Sequence, residues 1–154
     1  MKPVRVYADT SVFGGVHDSE FAQASGEFFA RAWQGRIQLV VSTSVPDELE
    51  DAPETVRKAW EEMLPLVEVL SVTEEALNLQ DAYLHAGVVS RKWDRDALHV
   101  AMATVSGCAM IVSWNFRHIV NYRKIPQYNA VNAVEGYGPI SIYSPLEVIA
   151  DETD

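Results

Sequence analysis

Four oxygen-bearing side chains, Asp9, Glu48, Asp96 and Asn115, stand where a fold could bring them together. Asp9 ends the run Val4-Arg5-Val6-Tyr7-Ala8, whose β-branched and aromatic content favours a strand. Glu48 lies in the first turn of a helix that Pro46 suits. Asp96 opens a further helix, and Asn115 stands two residues past the apolar run Ala109-Met110-Ile111-Val112-Ser113. Open parallel α/β sheets bind ligands at the carboxyl edge of their strands. Carboxylates gathered there from separate elements would make a site for a hard divalent cation, Mg2+ or Mn2+. Singly, each residue has a plainer explanation. Asp9 could cap a turn through Thr10 and Ser11, Glu48 and Asp96 could complement helix dipoles, and Asn115 could cap a loop. Asp47, Glu50 and Asp51 compete with Glu48 for its place, and Asp94 either adds a ligand or caps the Asp96 helix. His99 shares the helical face of Asp96 and reads as a buried, hydrogen-bonded histidine, because oxygen-rich sites suit hard cations. No CxxC or HExxH pattern supports zinc.

The elements that must position these residues follow from periodicity and punctuation. Strands are predicted at 4–8, 37–41, 66–70, 109–113 and 140–143, the fourth continuous and apolar like the middle of a parallel sheet. A loop after Gly14-Gly15 leads to a helix over about 19–34, capped by Asp18 or Ser19, whose face of Phe21, Phe28, Phe29, Ala32 and Trp33 reads as core, although so aromatic a face could also serve a partner helix. Further helices are predicted from Pro46 to about Pro53, over 54–63, from the Thr73 cap to Ala86, and over 96–106, ended by Gly107. Residues 126–138, rich in Asn and Tyr, read as a polar aromatic loop. Ser144-Pro145-Leu146-Glu147 is a capping box with Pro at the first helical position, so a short helix should close the chain. Strands alternating with helices imply a mainly parallel sheet covered on both faces.

The chain has 154 residues, enough for one domain with a real core. Its 48% hydrophobic and 22% charged content are ordinary for a globular protein, and no apolar run approaches a membrane span. The N-terminus does not read as a signal peptide. Cys108, the only cysteine, points to a reducing cytoplasm, and nothing adjacent in sequence activates it. A net charge of −10 argues against a general nucleic-acid coat protein. Residues 91–124 nevertheless carry six basic side chains against two acidic ones, and this strip could hold a phosphate backbone or be a solvated surface.

Asp9-Thr10-Ser11-Val12-Phe13, Ser44-Val45-Pro46-Asp47-Glu48-Leu49, Asp96-Ala97-Leu98-His99-Val100-Ala101-Met102-Ala103 and Val112-Ser113-Trp114-Asn115-Phe116 come in the order of PIN-domain motifs. The chain resembles that family over about residues 4–125, with 126–154 as a C-terminal strand and helix extension of one domain. The resemblance implies a three-layer α/β/α sandwich with a mainly parallel central sheet. It further implies a Mg2+- or Mn2+-dependent ribonuclease, commonly a homodimer, of the kind that forms the toxin half of VapBC pairs with an antitoxin partner. Carried over by position, Asp9, Glu48, Asp96 and Asn115 form the catalytic set. Asp9 and Asp96 would hold the metal, and Glu48 would bind it through water or help to orient the nucleophile. Asn115 stands where the family usually has the Asp of a Thr-x-Asp-x-x-Phe stretch; it keeps a carbonyl oxygen but removes a charge. Ser11 would orient a ligand or contact phosphate, and Arg95, Arg117 and His118 would steer the RNA backbone. Trp114 and Tyr122 could stack on bases, although Trp114 directly after a buried strand reads as core. The rival reading within the fold is a catalytically weak protein that binds RNA or a protein partner. A phosphatase of the haloacid-dehalogenase type fits poorly, since Ser11 stands where that class has its second Asp.

Overall fold

The computed structural model describes residues 2–150. Five parallel strands form one sheet in the order β3-β2-β1-β4-β5. These are β1 Val4–Ala8, β2 Ile37–Ser42, β3 Glu68–Leu70, β4 Met110–Val112 and β5 Ser141–Tyr143. The helices are α1 Thr10–Gly14, α2 Ala22–Trp33, α3 Ser44–Leu49, α4 Glu54–Met63, α5 Glu74–His85, α6 Asp94–Val105, α7 Ile125–Val134 and α8 Pro145–Ile149. Successive strand residues point to opposite faces, and two cores result. Val6, Ala8, Leu39, Val41 and Val112 pack with Val12, Phe13, Phe28 and Phe29 on one side. Tyr7, Val40 and Ile111 pack with Leu79, Tyr83, Val100 and Tyr128 on the other. The chain is a three-layer α/β/α sandwich.

The strand order reverses direction at the β1/β4 pair. Ala8 stands opposite Val112 there, and Asp9 N–H donates to Val112 O at 3.3 Å. This is the topological switch point at which such sheets bind ligands. The chain leaves β1 through α1 into a tight crossing at Gly15, whose φ of −59° is ordinary. Its lack of a side chain matters for packing instead. A Cβ would stand 2.6 Å from Ser25 Oγ and 2.7 Å from Trp114 Nε1. Trp114 Nε1–H donates to Ser25 Oγ at 2.9 Å, and Ser25 Oγ–H donates to Val12 O at 2.7 Å. That knot ties the segment after β4 to α2. Trp114 is core, as its position implied, with Phe21 stacked on it at 4.1 Å between ring centroids.

The structure corrects three expectations. The predicted loop over 126–138 is largely α7, with Pro126 in its first turn. Its inner face is buried by hydrogen bonds rather than by an apolar stripe. Tyr128 Oη donates to His118 O at 2.8 Å, and Asn132 accepts from Tyr83 Oη. Asn129 accepts from Ile140 N at 2.7 Å and donates to Ile140 O at 3.1 Å, so its amide pairs with the backbone leading into β5. The loop expected after Gly14 is preceded by α1 and a 3-10 turn, and α2 starts at Ala22, with Asp18 Oδ1 accepting from Glu20 N at 2.8 Å in the turn before it. Trp33, expected in the core, is 58% exposed. It borders a groove of about 440 Å3 between α2 and α4. The caps at Thr73 and Ser144 form as predicted. Residues 151–154 of the C-terminal extension lie outside the described residues.

Replacing Gly15 with Ala should lower the unfolding free energy by about 1–3 kcal/mol in urea titration, because the added methyl overpacks the Ser25–Trp114 knot. Gly14→Ala, with nothing within 4 Å of the new Cβ, should be neutral or slightly stabilising.

Candidate active site at the carboxyl edge of the sheet

Asp9, immediately after β1, is only 3% exposed. Ser11 Oγ–H donates to its Oδ1 at 2.6 Å, and Ser113 Oγ–H donates to its Oδ2 at 2.8 Å. Each hydroxyl is in turn oriented by a backbone amide. Trp114 N–H donates to Ser11 Oγ at 2.8 Å, and Asn115 N–H donates to Ser113 Oγ at 2.9 Å. Two serines from opposite ends of the sequence thus hold one carboxylate from both sides. Burial pushes the Asp9 carboxyl above its usual range, against the pull of His99 and the two serine hydrogen bonds. A positive charge beside such a buried carboxylate would favour its ionised form.

Asp96, in the first turn of α6, is half-buried. Burial raises its carboxyl too. The Asn115 side chain, His118 and His99 pull it down, while the charge of Glu48 adds to the rise. Glu48, on α3, is affected first by burial, which pushes upward. The hydrogen bond and charge of His99, with Arg95 beyond, outweigh that and leave it below the usual range. His99 is fully buried, as expected for a histidine on the Asp96 face, and is hydrogen-bonded to Glu48 and Tyr7 rather than open to a metal. Burial alone would lower it, but Glu48, Asp9 and Asp96 together raise it.

The structure therefore brings Asp9, Glu48 and Asp96 into one electrostatic neighbourhood from three elements. Asn115 joins them with a different atom from the one foreseen. Its Oδ1 accepts from His118 N at 2.9 Å, so the carbonyl expected to lean toward an ion closes a turn. The Ser11 hydroxyl is likewise committed, to Asp9 and Trp114 N, and positions the carboxylate instead of reaching for phosphate. His118 is 8% exposed and stacks on Trp93 at 4.5 Å, so it is no surface contact for a backbone. Arg117 is exposed, with its guanidinium 5.6 Å from the centre of the Trp93 ring. Arg95 lines a cavity of about 190 Å3 with Ser44, Asp47, Glu48 and Leu98. Asp94 starts α6 on an exposed face. Cys108 is buried, and its thiol is pushed up to about 11 by burial.

Sequence reasoning missed Ser113, Tyr7 and Ser42. The one signal for Tyr7 was a tyrosine inside an apolar strand, since a buried hydroxyl needs a partner. Among the described residues no three His, Cys, Asp or Glu side chains converge as a ready metal cage. Mg2+ keeps several waters and is commonly held by one or two carboxylates, a demand that the all-oxygen set of Asp9 and Asp96 fits. An unsatisfied polar atom points the same way. Thr10 Oγ1, an oxygen that faces Glu48, is buried and makes no hydrogen bond of good geometry.

Comparison with known proteins places this geometry in a family. The PIN domain model matches residues 5–117. A search of curated proteins finds no significant match. Among solved structures, the fold is similar to VapBC2 from Rickettsia felis bound to a DNA fragment from their promoter. The TM-score is 0.62 at 11% identity, covering 92% of this chain and 98% of that one. It is also similar to the Sarcin-Ricin loop cleaving toxin VapC20 of Mycobacterium tuberculosis, with TM-score 0.49 and 13% identity over 88% of this chain and 98% of that one. At such identities the likeness speaks for the fold alone. The family model, which covers most of the sequence and all four motif positions, supports more: the chain belongs to the PIN domain family.

Proposed function

We propose that the protein is a divalent-metal-dependent endoribonuclease and the toxin half of a VapBC-like toxin–antitoxin pair. The observation that carries this reading is the meeting of Asp9, Glu48 and Asp96 at the sheet's switch point, with Asp9 and Asp96 raised by burial. Asp9 and Asp96 would hold Mg2+ or Mn2+, which when bound supplies Lewis-acid polarisation of a phosphodiester and a lowered pKa for water. Glu48 orients water at the site. Ser11 and Ser113 keep both oxygens of Asp9 aimed. Arg95 and Arg117 draw the RNA backbone toward the carboxylates, which alone would repel it. RNA loops are the preferred targets, since their bases are free to be read.

An antitoxin fits the same electrostatics. A chain with net charge −10 attracts a partner segment of positive charge, and the Rickettsia felis neighbour is a VapBC assembly. A homodimer in the cytoplasm completes the proposal. Among the described residues no helix is long and apolar enough to cross a membrane. One observation favours the second reading, a catalytically weak PIN protein that binds RNA or a protein partner: Asn115 brings no charge to the site.

The direct test is cleavage of mixed structured RNAs with Mn2+. Asp9→Asn and Asp96→Asn should each reduce the rate by at least about 100-fold, and cleavage that survives both would expose a contaminant. Asn115→Asp should tighten Mn2+ binding by direct titration and raise the cleavage rate. Tighter binding without cleavage would favour the second reading.

Metal-free stability gives a third check. The folded pKa of Asp96 is raised, so the native state binds its proton more readily than the unfolded chain and loses stability as pH rises through that value. Asp96→Asn should therefore melt about 2–4 °C above wild type at pH 7 without metal, a gain that shrinks as pH falls and the wild-type carboxyl protonates. Excess Mn2+ should stabilise the wild type and not the variant.

A further inference from the structure

Glu48 sits on α3, a helix of six residues. So short a helix is weakly ordered by its own backbone, yet a carboxylate that orients water must be held to a fraction of an ångström. His99 Nε2–H donates to Glu48 Oε1 at 2.8 Å, with the His99 side chain 1% exposed. His99 Nδ1 meets Tyr7 Oη at 2.8 Å, and Tyr7 Oη meets Ser42 Oγ at 2.9 Å. Ser42 Oγ then accepts from Ser44 N at 3.3 Å, and Ser44 is the first residue of α3. The hydrogen bonds form a circuit that leaves α3 at Glu48, passes through α6, β1 and β2, and returns to the start of α3.

We infer that Ser42, Tyr7 and His99 form a positioning circuit that fixes the Glu48 carboxylate in the active site. Its importance for catalysis rests on the ribonuclease reading; its geometry does not. Packing alone does not call for these residues. Tyr7 shares its core with Val40, Val100 and Ile111, and His99 is 1% exposed, so apolar side chains of similar volume would suit these buried positions. A buried polar chain specifies one arrangement only when every link is made, and every link here is made. His99 is thus a positioning residue acting through Glu48. Tyr7 acts one link further back, and Ser42 ties the circuit to the backbone of α3.

The circuit can be read without metal or RNA. In the metal-free protein, NMR should show an imidazole Nε2–H proton of His99 protected from exchange, shifted by Glu48→Gln and weakened by Tyr7→Phe. With Mn2+ and RNA, Tyr7→Phe should lower kcat about 3–10-fold at unchanged KM, and His99→Leu about 100-fold, the cost of a misplaced catalytic group. His99→Gln, which keeps a donor toward Glu48, should recover about tenfold of that loss. Melting curves identify the variants that fold. A folded His99→Leu with kcat within about twofold of wild type would overturn the inference, and so would absence of the protected proton. If the wild type cleaves no RNA, the ribonuclease reading falls, whereas a protected proton whose protection weakens in Tyr7→Phe still supports the circuit.

Discussion

The cost of holding carboxylates together out of water is the constraint on which this molecule turns. Asp9 is almost wholly buried, Asp96 and Glu48 stand close enough to feel each other's charge, and burial works against ionisation at all three. Left alone, such groups would protonate or swing toward solvent. The fold answers each differently. Asp9 is held by two serine hydroxyls, each oriented by an amide of the segment after β4. Glu48 is held by a histidine that cannot reach water. Asp96 has only the side of Asn115 and stays half-exposed. The three carboxylates therefore differ in freedom, and Asp96 is the least restrained.

The sheet explains why these supports exist where they do. A parallel sheet whose order reverses at β1/β4 leaves a crevice at that junction, so the residues just past both strands face one another. Ser11 and Ser113 are those residues, 102 positions apart and 3.3 Å between hydroxyls. Both hydroxyl protons go to Asp9, so the contact between them is a consequence of a shared acceptor rather than a bond of its own. Farther out, α7 substitutes side-chain amides for backbone pairing. Asn129 engages both polar groups of Ile140, which carries the chain into β5 with its hydrogen bonds satisfied.

Much of this was legible in the sequence, for identifiable reasons. The strands announce themselves through β-branched runs, and Thr73 and Ser144 through cap chemistry that acts within four residues. Asp9 and Asp96 stood out by their places at a strand end and a helix start, which are local properties, whereas only the resemblance to PIN-domain motifs separated Glu48 from Asp47, Glu50 and Asp51. The segment that became α7 could not. Its buried residues are Tyr128 and Asn132, with Asn129 partly buried beside them, and hydropathy periodicity is blind to polar side chains buried by hydrogen bonds. The same limit governs the site. Sequence shows that Ser11 and Asn115 can donate or accept, but not that Ser11 gives its hydroxyl proton to Asp9 or that Asn115 Oδ1 accepts from His118 N.

That last point bears on how Asn115 should be understood. An Asp at this position would keep the turn, because a carboxylate oxygen accepts from His118 N as well as an amide oxygen does. It would lose the amide donor that now lies beside Asp96 and put a charge in its place. Without a cation, Asn is thus the more comfortable residue, easing Asp96 where Asp would repel it. Asn at this position thus gives up a negative charge and spares Asp96 a repulsive neighbour. It follows that the charge left for a cation rests on Asp9 and Asp96, since Glu48 already shares its charge with His99. Two carboxylates and their waters suffice for a single Mg2+ or Mn2+. A second ion would have to be held by ligands of the substrate itself.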